Sequence, residues 1–353
     1  MPLNTRWLLP LIASAAFGQE ATAYFPEATD RGRFAWEMTL WRDQVEDPRT
    51  PSASFNRLGS QLRLRWTWEQ DGLRVVAGTR SATGTDGNSL NLPRWDQQPS
   101  NGTQVDVAHA DFSWVTAQTF GTLRLGFQEN ALVTSQAMWD QDLRFLGAGG
   151  IAGVRDPEGL LGEASLRGAV GRVRDILGGE VDLAAVQGVL KADAGPTSWT
   201  LHGGRWELAW DPGSARLRRL PTGSATARQR LVVDTGGLAG TWHAAFPLAF
   251  SWSASKDRAT GETSGEAQVS AGSRERVYWP QLAYTWQRLS ATGSLYPVNG
   301  DEWWFYRRAR GPRVDLAVPL PGHWLVSLSV IQQRPEGESG LSTRSLLILT
   351  RRF

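Results

Sequence analysis

Apolar and polar residues alternate with a period of two over segment after segment of this chain. Phe34, Trp36, Met38 and Leu40 alternate with Ala35, Glu37 and Thr39, and Leu62, Leu64, Trp66 and Trp68 alternate with Arg63, Arg65 and Thr67. Leu73, Val75 and Ala77 oppose Arg74, Gly78 and Arg80, and Leu123, Leu125 and Phe127 oppose Arg124 and Gln128. The same pattern returns at Leu248–Ser253, Gln281–Trp286 and Trp324–Val330. Side chains along a strand point to opposite faces, so each segment is a strand with one apolar and one polar face. Beyond the first 18 residues no helical stripe interrupts this pattern.

A soluble sandwich would also alternate. Two features separate this chain from one. The polar faces carry arginine, glutamine and small residues, as a wet interior would. The connections are also of two kinds. Glu69-Gln70-Asp71-Gly72, Phe246-Pro247-Leu248 and Pro319-Leu320-Pro321-Gly322 are tight turns, whereas 44–57, 82–103, 130–162, 258–275 and 297–310 are long and mostly polar. Short turns at one end and long loops at the other is the pattern of bacterial transmembrane barrels. The expected fold is therefore an all-β, antiparallel transmembrane barrel. Six strands are expected over 33–175 and seven over 238–353. The segment 176–237 must add an odd number, so that both ends agree in direction. Three there gives 16 strands, the preferred total; one gives 14. Trp199–Trp210 and Arg228–Asp234 both look extended, and bulges are expected near Gly171 and Gly203-Gly204.

Residues 1–18 read as a secretory signal. Arg6 is the positive start, Trp7–Phe17 is an apolar stretch too short to span a bilayer, and Ala16 and Gly18 stand at the −3 and −1 positions. Cleavage is expected before Gln19, leaving a mature barrel of 19–353. No later stretch is apolar for the roughly 20 residues that a spanning helix needs. The 18 tryptophans favour membrane interfaces, where an apolar ring with one polar N–H is at home. The last residue is Phe353, closing the run Leu346–Phe353. A final strand ending in phenylalanine resembles the assembly signal of outer-membrane barrels. That resemblance implies recognition by the barrel-assembly machinery and residence in outer-membrane lipid. Arg351 departs from its pattern, since that place is usually apolar or aromatic.

Composition argues against other classes. The formal net charge is +2, so no nucleic-acid partner is expected, and the absence of cysteine excludes thiolate metal sites. His109, His202, His243 and His323 lack metal-ligand spacing, and neither a G-x-S-x-G nor a phosphate loop is present. No enzyme, catalytic residue, metal or cofactor is expected.

The segment Phe120–Gln128, FGTLRLGFQ, follows the acidic-aromatic strand Val105–Val115 with Asp106 and Asp111. It resembles the G-x-L-x-L-G-x-Q strand of porin families that include the alginate-export and phosphate-selective porins, without choosing between them. The resemblance implies that the long connection 130–162 folds into the lumen. Trp139, Asp140, Asp142 and Arg144 are then expected at a constriction, with the glycines of 147–150 as a flexible hinge. The expected pore-lining cations are Arg63, Arg65, Arg74, Arg80, Arg124 and Arg313, against Glu37, Asp111 and Asp315. Arginines facing a pore favour anions. The expected function is an outer-membrane channel for passive or weakly selective passage of small hydrophilic solutes, anions among them. The alternatives are a substrate-specific transporter of acidic polysaccharide and a secreted, tryptophan-rich glycan-binding β protein.

Overall fold

The structure, a computed structural model, describes residues 32–46, 55–84, 102–135, 138–139, 143–156, 161–176, 179–210, 230–290, 292–295, 308–336 and 340–353. The proposed signal, 1–18, lies outside them. Sixteen strands run in chain order: β1 Arg33–Glu46, β2 Phe55–Gln70, β3 Leu73–Gly84, β4 Gly102–Val115, β5 Thr119–Gln128, β6 Phe145–Arg155, β7 Glu163–Ile176, β8 Gly179–Ala194, β9 Thr197–Trp210, β10 Arg230–Trp242, β11 Leu248–Asp257, β12 Thr263–Gly272, β13 Gln281–Leu289, β14 Ala309–Leu320, β15 Trp324–Pro335 and β16 Ser342–Arg352. Each pairs antiparallel with its neighbours in sequence, and β16 pairs with β1, closing the sheet. Closure leaves no strand edge unpaired, which is what allows a sheet to sit in lipid.

Sixteen is the expected total, but its parts fall differently. Seven strands, not six, lie between 33 and 176, and six, not seven, begin after 242. The connection expected at 130–162 contains β6, and that expected at 258–275 contains β12. Both strands were hidden by their composition. β6 reads FLGAGGIAGVR and β12 reads TSGEAQVSAG, and neither has enough large apolar residues to show a period. Their small residues lie beside large ones on adjacent strands: Ala267 pairs with Trp252 on one side and Trp286 on the other. The glycines of 147–150 are therefore strand, not hinge. A Cβ on Gly147 would lie 2.1 Å from the Val170 carbonyl oxygen, so β6 and β7 approach too closely there for any side chain.

The bulges expected at Gly171 and Gly203-Gly204 are also absent. Pairing of β6 to β7 and of β8 to β9 runs through both without a shift. The shifts lie at Gly78/Thr79 and at Arg174/Ile176. What changes at Gly171 and Gly203-Gly204 is which face is apolar. Beyond them Val173, Trp206, Leu208 and Trp210 point inward and are buried, whereas Arg172, Arg205 and Glu207 point outward. Register is kept; polarity is exchanged.

The outer face elsewhere carries a broad apolar surface. Trp36, Leu64, Phe112, Leu123, Trp252, Leu282, Trp286 and Leu328 are exposed on it. The seam between β1 and β16 is closed by the last residue. Phe353 N–H donates to the Trp36 carbonyl at 2.9 Å, Trp36 N–H donates back at 3.2 Å, and the two rings stack with centroids 3.5 Å apart.

Candidate functional site

The interior is built from the second face of each strand and from what folds onto it. The described residues of 129–144 turn inward after β5. Val133 and the Gln187 side chain on β8 exchange two hydrogen bonds of 2.8 Å, and Arg167 on β7 donates to the Ala131 carbonyl. Leu132, Met138, Trp139 and Leu143 form one buried apolar cluster with Val173, Val181, Leu183, Trp206, Leu208, Leu231 and Val233. The Trp139 and Trp206 ring centroids lie 5.8 Å apart. This is the reason for the exchange of polarity on β7–β10: their inner wall is apolar where the inward loop lies on it.

The other end of the loop is anchored by charge. Arg65 on β2 donates to Glu129 at 2.7 Å, and Arg144 lies 3.2 Å from Glu129 and 3.3 Å from Asp106 on β4. Arg80 completes the group, 3.9 Å from Asp106. Burial would raise the Glu129 carboxyl, but Arg144 and Arg65 outweigh it and hold the group well below the usual carboxylate range. Burying ions is costly unless they are paired, and this group shares its carboxylates among several guanidiniums.

Further inner charges form a series along β16 and β1–β5. Asp43 is held by Arg57 at 2.8 Å and by Arg344 at 2.9 Å. Glu37 accepts from Arg352 at 2.8 Å and lies 3.7 Å from Arg63. Asp111 accepts from Arg74 at 2.9 Å and Arg124 at 2.6 Å. Each of these carboxylates is shared by two arginines, which leaves each trio with one positive charge over. Two strands beyond β16, on β14, Arg313 is bidentate to Asp315 at 2.8 Å, and Ser329 joins them.

Each of the six arginines expected to line the pore pairs with one of these acids, and their side chains divide into two kinds by exposure. Side-chain exposure is 42% for Arg74 and 27% for Arg63, and 1% for Arg80 and 9% for Arg313. Of the four residues placed by sequence at the constriction, Trp139 is buried against the wall and Arg144 is buried in its charge cluster. Neither projects into open space. Asp140 and Asp142 lie outside the described residues. Sequence reasoning missed Asp43 and Arg57 in part because the expected connection at 44–57 swallowed the ends of two strands. It missed Gln187 and Trp206 because their segment was not phased. The one usable signal was the change of apolar phase after Gly171 and Gly204.

A closed sixteen-strand antiparallel barrel, apolar outside, charged inside and partly filled by a loop after its fifth strand, is the porin-type architecture. Solved outer-membrane porins share the fold. OprB of Pseudomonas putida, in its high-pH structure, matches with a TM-score of 0.62 and 7% identity, over 92% of this chain and 94% of that one. OmpF of Salmonella typhi, in complex with daunomycin, matches at 0.56 and 10% identity, over 91% and 97%. OpdK of Pseudomonas aeruginosa, with vanillate, matches at 0.51 and 10% identity, over 91% and 98%. At such identities the likeness is one of fold. No family model and no curated protein matches the sequence.

Proposed function

We propose that this protein is a channel of the bacterial outer membrane, passing small hydrophilic solutes with a preference for anions. The observation that carries the reading is the inner wall of β16 and β1–β5, where Glu37, Asp43 and Asp111 are each shared by two arginines. A surplus of guanidinium facing water attracts anions and can grip carboxylates bidentately. The apolar outer surface suits lipid and does not suit a secreted glycan-binding protein. The chain is taken to be exported by the segment 1–18, cut before Gln19, and assembled through its final strand. N-terminal sequencing of the membrane-resident protein should begin at Gln19; Met1 there would reject that part. No catalytic role is proposed.

The test is conductance in a planar bilayer under a salt gradient. The reversal potential should carry the sign of anion preference. Reconstituted, folded protein that gives no current would overturn the channel reading. The competing reading, a transporter of acidic polysaccharide, draws on the segment 120–128 and the same arginines. It requires oligo-uronate to block the current at concentrations where a neutral oligosaccharide does not.

A further inference from the structure

The connection after β13 also enters the barrel. Ser290 N–H donates to Ser264 Oγ at 2.9 Å, Thr292 N–H donates to Glu262 Oε2 at 3.0 Å, and Thr292 and Thr260 share a hydroxyl hydrogen bond of 2.7 Å. Ser255, on the inner face of β11, donates to the Gly293 carbonyl. Gly293 has no room for a side chain: a Cβ there would lie 2.6 Å from the Glu262 carbonyl oxygen. So Ser290, Thr292 and Gly293 are pinned to β11, β12 and the turn between them. Two residues on, Leu295 is fully buried, and it belongs to the same apolar cluster as Leu132, Met138, Trp139 and Leu143. The other members of that cluster come from the inward loop, from Phe145 at the start of β6 and from the wall of β7–β10.

We propose that Ser290 and residues 292–295 form a second inward element. Through Leu295 it locks the 129–144 loop against β7–β10, closes the β7–β12 half of the interior, and confines solute to the half lined by β16 and β1–β3. This deepens the channel reading above and rests on it. The exposures agree with such a division. The side chains of Arg74, Arg57, Arg352 and Arg63 are 42%, 35%, 32% and 27% exposed. Leu183 and Val233, under the loop, are buried. On β2, Arg57 and Arg63 are six residues apart, about 20 Å along the strand. With Arg352 beside Arg63 and Arg74 nearer the short-turn end, the exposed guanidiniums make a file down one side of the barrel. Arg80 and Arg144, both buried, anchor the loop rather than meet solute.

Because the chain contains no cysteine, single cysteines report without background. A charged, water-soluble thiol reagent should label R57C and R63C quickly. It should label L183C and V233C about tenfold or more slowly, since a covered thiol reacts only through local opening. Adding Leu295→Ser should raise labelling of L183C and V233C towards that of R63C, and conductance should rise with it. Heat-modifiable migration on a gel confirms that each variant is a folded barrel. If Leu295→Ser fails to fold, Leu295→Ala should show the same change in smaller degree. Equal labelling of all four sites in the parent would overturn the proposal. So would a folded Leu295 variant in which the covered sites stay protected. Labelling does not depend on current, so a protein that labels as expected but conducts nothing would sink the channel reading and leave the two-element plug standing.

Discussion

Glu129 lies between Arg65 and Arg144, and through them it ties the inward loop to β2 and β4. Its carboxyl is held below the usual range, so the sign of its pH effect is fixed. A depressed carboxylate contributes stability that is present above its unfolded value of about 4.5 and is lost only as pH falls through the lower folded value. The tie should therefore survive at pH 4. In Glu129→Gln the two arginines lose the carboxylate they share, and the loop should loosen already at neutral pH. Proteolysis of the loop at pH 7 and pH 4 would check this. Cleavage of the parent at pH 4 as fast as that of Glu129→Gln at pH 7 would contradict it. Arg144→Ala should cost more, about 3–5 kcal/mol, because it leaves buried carboxylates short of a partner. Denaturant unfolding in detergent reads that cost. At the other end of the chain, Arg351 has an account in its neighbours. Its guanidinium carbon lies 3.9 Å from the Phe353 ring and 5.1 Å from the Trp324 ring. A cation on aromatic faces is favourable even near lipid. Phe353→Ala removes the stack on Trp36 as well, and should lower the yield of heat-modifiable barrel severalfold.

At the scale of the element, the inward loop has two anchors of opposite kind. The charged cluster at Glu129 and Arg144 holds its ends, and the apolar cluster around Trp139 and Trp206 holds its middle. Deleting 133–143 should raise single-channel conductance severalfold. The deletion has to stop before Phe145, because β6 begins there. Removing 136–150, as the sequence pattern alone would invite, would cut a wall strand and test folding instead. Trp206→Ala leaves the loop in place but opens a hole beneath it, at a cost of about 3–5 kcal/mol typical of buried Trp. Its conductance should become noisier rather than uniformly larger, and a quiet current of parental size would argue that Trp139 does not depend on that wall.

At the scale of the whole molecule, the charge on the two sides of the interior is unequal, and the prediction is one of ion preference. Replacing Arg57 and Arg63 together by Glu should move the reversal potential in a salt gradient towards cations. The same exchange at Arg80 and Arg313, which are nearly or fully buried, should act on stability and leave the sign of the potential alone. An equal effect from both pairs would mean that the inner arginines work only through their summed charge.

What the sequence by itself determined is the class of structure. Period-two alternation with an arginine-bearing polar face, unequal connections and a terminal Phe353 lead to a closed antiparallel barrel, of sixteen strands in preference to fourteen, because alternation is a local property of the strand. Counting in twos sets Arg63, Arg65, Arg74 and Arg124 on the face opposite their large apolar neighbours, of which Leu62, Leu64, Leu123 and Leu125 are exposed. The tertiary structure decided the rest. β6 and β12 carry small residues whose place is set by large neighbours on adjacent strands, and a strand's own sequence does not record its neighbours. Val173, Val181, Leu183, Trp206 and Leu208 turn an apolar face inward because a loop from elsewhere lies on it. Whether Arg74 meets water while Arg80 is sealed depends on which groups 129–144 and 290–295 bring across the barrel. These are contacts between residues far apart in the chain, and periodicity, which compares each residue only with those beside it, carries no trace of them.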